Sequence, residues 1–354
     1  MSAASRIFLP TCILIFVTSC HTLNKVESSY VKKFATTGQE VSDLPYKIIY
    51  DYYTIKFKRR QLIPENYVTG DTSKEDLDGL AENVILKIEE IKNDYNSNLK
   101  TANEIKIVYD LLQTYLSSLE KLSSDKYSSD FEKNSVAMGN KMNGLVNQLN
   151  KSSITKINLS LNPGEWLTSI ATSYGSTKIK NKQAQFLKEY IDKADTLVQA
   201  INLNFQEIQV PIMNSWFNEE KRGIRDQFKR SIAPYLQNIN RHPDSAVSIV
   251  AIDFFSRINP VYYELTDNIS KDELLIKHTS MLMQKLADTH GSLREMFASN
   301  NNNWLSITEQ VEDIKKDLST LQQLFSKEDQ DKFNFYKNFI LQNENTVKDI
   351  FNKH

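Results

Sequence analysis

Two cysteines, nine glycines and eight prolines are all that the 354 residues contain, and each shortage narrows the fold. Average usage is about 7% glycine and 5% proline, and sheets joined by tight turns need those residues at their corners. Their scarcity favours long helices with few connections. Both cysteines, Cys12 and Cys20, fall in the first twenty residues, so no disulfide framework can brace the rest. Charge of one sign is lacking as well. With 43 basic and 44 acidic residues the net charge is −1, which gives no broad field to draw in nucleic acid. Beyond Cys20 no segment reaches the roughly 18 uncharged apolar residues of a membrane helix. The nearest approach, residues 245–255, is short and carries Asp253.

What is present begins at the front. A free amino terminus and Arg6 precede an apolar stretch from Ile7 to Val17, followed by small residues and a cysteine. That layout is a secretory signal, too short to persist as a membrane span. Val17-Thr18-Ser19-Cys20 resembles the lipobox of bacterial lipoproteins, in which the cysteine carries a lipid on its sulfur and becomes the new amino-terminal residue. The resemblance covers only these first residues. It implies cleavage before Cys20, lipidation of Cys20 and attachment to a membrane through acyl chains, two of which already suffice for stable anchoring. His21 stands where an aspartate would favour inner-membrane retention in enterobacterial lipoproteins, so the resemblance points to the outer membrane.

The remainder reads as helix. Residues 20–45 are polar enough for a lipidated tether. After Pro45 the residues Tyr46, Ile49, Tyr50, Tyr53 and Phe57 make one aromatic stripe. Leu77, Leu80, Val84, Ile88, Ile91 and Tyr95 alternate steps of three and four behind a capping box at Thr72 and Glu75, and the pattern resumes from Ile105 to Leu122. This is one helix on the order of 70 Å long, at 1.5 Å per residue, or two if it breaks near Asn98. Further starts are expected at Ser129 with Glu132, Pro163, Ser270 with Glu273, and Ser306 with Glu309. Another stripe runs from Leu187 to Ile208. Pro211, Pro243 and Pro260 are expected to delimit a helix over about 212–240, a shorter one over 244–257, and a bend or restart. Three helices should fill the last quarter, the final one starting near Lys327. Stripes of this kind must be buried against one another. The expectation is therefore an all-α fold, an elongated bundle of long antiparallel helices. Its division would be signal peptide 1–19, tether 20–45, and two helical lobes, 46–160 and 161–354.

Candidate chemistry is sparse. The histidines His21, His242, His278, His290 and His354 lack metal-ligand spacing, and Met281, Met283 and Met296 suit adaptable core packing. No Gly-rich phosphate loop, nucleophile elbow or paired-cysteine motif occurs, so neither a catalytic site nor a cofactor nor a metal is expected. The cations Lys56, Lys58, Arg59 and Arg60 read first as a solvated helix end meeting the dipole, and otherwise as a contact for anionic headgroups. Trp304, after the run Asn300 to Asn303, reads first as packing on the following helix and otherwise as an exposed contact for a partner. The sequence therefore points to a lipid-anchored binding or scaffold protein of the envelope, with a protein partner and no nucleic acid. The alternative is a carrier that encloses a lipid or other apolar ligand in a bundle pocket.

Overall fold

The computed structural model describes residues 25–61, 77–124, 130–152, 162–172, 183–241, 246–299 and 303–323. Their regular structure is entirely helical. The elements are α1 (Lys25–Ser42), α2 (Leu44–Gln61), α3 (Leu77–Leu122), α4 (Asp130–Lys151), α5 (Pro163–Thr172), α6 (Gln183–Asn204), α7 (Val210–Arg241), α8 (Ala246–Ser299) and α9 (Trp304–Gln323). None of these is long and apolar enough to cross a membrane. The expected lipidation site, Cys20, lies outside the described residues.

Residues 25–45 are not a tether. They form α1 and the start of α2, and Val31, Phe34, Ala35 and Val41 are buried in the core. Polar composition misled here because α1 buries small residues, Thr37 and Gly38 among them, alongside few large apolar ones. Nor does α2 carry a single stripe. Ile48, Tyr52 and Ile55 are as buried as Tyr46, Ile49, Tyr50 and Tyr53, as expected of a helix enclosed by neighbours on most sides.

α3 is one uninterrupted helix of 46 residues that passes Asn98 without a break. It runs antiparallel to α2. Gln113 donates to Asp43 at 3.2 Å, Lys106 lies over the Tyr46 ring, and the Phe57 and Tyr95 rings are 4.6 Å apart. At the far end Arg60 pairs with Asp94. Because α2 stops at Gln61, the first turns of α3 extend beyond its end.

Proline punctuates less than expected. α6 and α7 are joined without a loop by a π-turn over Phe205–Gln209, and the amide of Val210 donates back to the Phe205 carbonyl. Pro211 follows at once. Its ring has no N–H to give and would collide with the preceding turn, and the wider turn relieves that conflict inside a continuous helix. Gln209 is held there, donating to Asn204 at 2.7 Å and accepting from the Tyr109 hydroxyl at 2.5 Å. Pro260 likewise starts no new element, since α8 runs 54 residues through it.

Local start signals divide in the same way. Pro163 does open α5, where the amides of Glu165 and Trp166 donate to the Asn162 carbonyl. By contrast Ser270 lies in mid-helix and donates back to Thr266, while α9 starts two residues before Ser306, whose amide donates to Asn303. The expected starts at Thr72 and Ser129, and the helix from Lys327, lie outside the described residues. Side chains from both sides of residue 160 share one core. Tyr115, Tyr190, Phe186, Phe205 and Phe217 are all fully enclosed, and the Tyr115 and Tyr190 rings are 5.2 Å apart.

Candidate functional site

At the end of α2, three of the four expected cations meet carboxylates brought by three other helices. Arg59 makes a two-pronged pair with Glu220 of α7, at 2.5 and 3.2 Å, and Glu220 is only 2% exposed. Gly223, one turn further on, leaves room for the guanidinium; a Cβ there would stand 3.0 Å from its central carbon. Arg60 pairs with Asp94 of α3, and Lys58 with Glu264 of α8 at 2.9 Å. Lys56 lies over the Tyr52 ring. The run is a brace across the bundle.

Trp304 is half-buried, and it packs back on α1 and α8 rather than forward on its own helix. Its ring stacks on Tyr30 at 6.0 Å and meets Phe297 edge-on at 5.6 Å, while its indole N–H donates to Glu27 at 3.1 Å. Among the methionines, Met283 and Met296 are core residues and Met281 is 44% exposed. Among the described residues no group of three or more His, Cys, Asp or Glu could hold a metal ion.

One histidine has a role that spacing did not reveal. His290 of α8 is completely buried, with Nε2 2.7 Å from the Tyr115 hydroxyl of α3 and Nδ1 3.1 Å from Asp195 of α6. The carboxylate fixes the tautomer: Nδ1–H donates to Asp195, and Nε2 accepts from Tyr115. Arg294, one turn along α8, binds the other Asp195 oxygen at 3.1 Å and Asp192 at 2.7 Å. Burial pushes the His290 pKa down against the opposing pull of Asp195. The hydrogen bond from His290 holds Asp195 below its usual range, and burial raises the Tyr115 hydroxyl well above its own. The buried His290 uses both ring nitrogens inside the cluster, which ties α3, α6 and α8 together, while Arg294 and Asp192 at its outer end are open to solvent. The partners lie 95 and 175 residues away from His290, and only the i, i+4 pair His290 and Arg294 facing the i, i+3 pair Asp192 and Asp195 hinted at them.

Among the described residues, two features lie open to a second molecule. The first is the beginning of α3, where Ile85, Leu86 and Ile88 are 57%, 58% and 56% exposed. Of the expected stripe, Ile88 is therefore open whereas Ile91, one turn on and level with the end of α2, is buried. The second is a cavity of about 290 Å³ between the antiparallel helices α7 and α8. Its floor is Ile224, Phe228, Tyr262 and Ile269, with the Phe228 and Tyr262 rings edge to face at 4.5 Å. Lys221, Arg225 and Tyr263 stand at its rim, and Tyr263 is 69% exposed. None of the groove residues was singled out in the sequence, where an aromatic among cations on an amphipathic helix is an ordinary sight.

Comparison of the chain with protein-family models, with curated proteins and with solved structures finds no match. The class is therefore the one the fold defines, an all-α helical bundle, with two open apolar features among its described residues.

Proposed function

We propose that the protein is a lipid-anchored binding protein of the cell envelope, tethered through Cys20 to the outer membrane, and that it holds a protein partner on the first turns of α3. The observation that carries this reading is the exposure of three large aliphatic side chains within four residues, Ile85, Leu86 and Ile88. Ile85 and Ile88, three apart, share one helix face. Such a ridge fits an apolar groove on a partner, the helix-in-groove mode of recognition, and contiguous exposed apolar side chains mark contact sites more often than isolated ones do. The lipobox supplies the anchor and the braced bundle a rigid support.

A photoreactive residue at position 86 of the full chain, irradiated in intact cells, tests this. The expected result is one recurrent protein adduct that disappears when Ile85 and Ile88 are both replaced by Asp, with the melting temperature unchanged. No adduct, or an adduct indifferent to the two aspartates, removes the reading. The anchor is tested separately: palmitate labelling should be lost in Cys20→Ser, and an unlabelled native protein would refute it.

A further inference from the structure

We propose that the α7/α8 groove is a binding site for a single-chain amphiphile with an acidic head group, its alkyl chain lying over Ile224, Phe228, Tyr262 and Ile269 and its head group at Arg225. This inference is independent of the partner site on α3.

Shape and surface argue for the chain. The cavity is a trough between two antiparallel helices, floored by aliphatic and aromatic side chains, which suits a flexible linear chain. Its volume of about 290 Å³ sits at the small end of ligand sites, which run from about 300 to 1,000 Å³. One alkyl chain fits that space better than a two-tailed lipid does.

Charge argues for the head. Arg225 lines the groove and is exposed, whereas Arg222 and Lys229 lie outside the lining on a face of α7 that Asp226 shares. Carboxylates of α8 close to the groove are already engaged: Glu273 with Lys221 at 3.2 Å, Glu264 with Lys58, and Asp267 with Lys271 at 2.9 Å. Asp226 points some 100° further round α7 than Arg225 does, at about 100° per residue. Among the described residues Arg225 and Lys229 make no ion pair. The groove therefore has an apolar floor and, at its rim, the guanidinium of Arg225, which no carboxylate among the described residues pairs. A guanidinium binds a carboxylate or a phosphate through paired, charge-assisted hydrogen bonds.

The test uses the full chain in nanodiscs of zwitterionic phosphatidylcholine and a photoreactive long-chain fatty acid, with labelled peptides mapped. Labelling is expected within 224–228 and 262–269. Dodecanoate and dodecyl phosphate should compete, their ranking telling which acidic head is preferred, while dodecanol should compete poorly. Loss of a charge-assisted bond in Arg225→Gln should raise the half-saturating concentration about tenfold, with helicity and melting unchanged. Thr266→Trp, which fills the exposed mouth, should abolish labelling of the groove. Labelling elsewhere only, equal competition by dodecanol, indifference to Arg225→Gln, or equal competition by inorganic phosphate would each overturn the proposal. The last outcome would make the groove edge an ion site only.

Discussion

Arg59 Nε stands 2.5 Å from Glu220 Oε2, and that carboxylate is almost wholly enclosed. An enclosed ion pair is costly to break on one side, since the remaining charge loses its partner without regaining water. Glu220→Ala should therefore lower the unfolding free energy by about 3 kcal/mol, measured by urea denaturation. The double replacement Arg59→Met with Glu220→Leu should cost much less. Equal losses in the two variants would show that the pair contributes through packing alone.

A pH dependence follows from His290. Burial keeps its folded pKa below the ordinary 6.5, so below that pH the unfolded chain takes up a proton that the folded chain refuses. Stability should be flat with respect to this group above pH 6.5 and fall as pH drops from there, by at most about 1.4 kcal/mol per pH unit. Asp195 acts in a separate window. Its pKa is held below 3.8, so its contribution persists above that value and is lost further into acid. Melts of His290→Gln between pH 7 and pH 4.5 should show a shallower slope than the native chain, and parallel slopes would reject the assignment.

Along α3, a large aliphatic residue should matter or not according to level. Leu112 is 1% exposed and Ile88 is 56% exposed. Leu112→Ala should cost about 2–5 kcal/mol, whereas Ile88→Ala should stay within about 0.5 kcal/mol. A large loss at Ile88, read by thermal or urea melts, would mean that the first turns of α3 are covered in solution.

At the crossing of α4 and α5 two glycines face each other. A Cβ on Gly139 would come within 2.7 Å of the Gly164 carbonyl, and one on Gly164 would collide with the Gly139 carbonyl and with Asn143. The Gly164 amide donates to Asn143 at 2.9 Å. Gly164→Ala should force the helices apart at a cost of about 1–3 kcal/mol, with earlier proteolysis in α5 than in α8 as the local readout. Neutral behaviour would show that α5 can move off at no expense.

Periodicity made the helices legible, because α3, α6 and α9 each bury a stripe readable from spacing alone, such as Ile307, Val311, Ile314, Leu318 and Leu321. It failed where burial goes all round, as in α2, and where a helix runs past its neighbour, as at Ile88. Proline misled at positions 211 and 260, where the surrounding helix tolerates what an isolated one would not. The His290 cluster and the groove were illegible for a different reason. The cluster joins helices distant in the chain and the groove joins facing sides of two consecutive ones, α7 and α8, and a pattern along the sequence carries no record of which faces meet.

The π-turn at Phe205–Gln209 has a further consequence. Widening one turn by a residue rotates all that follows by about 100° about the axis. The inward aim of Met213, Phe217 and Ile224 in α7 is thus set by the count of residues in that single turn. Removing one residue there would swing α7's apolar face toward water and carry the Arg59 and Glu220 partnership out of alignment. The length of this short stretch is as binding on the architecture as the identity of any side chain within it.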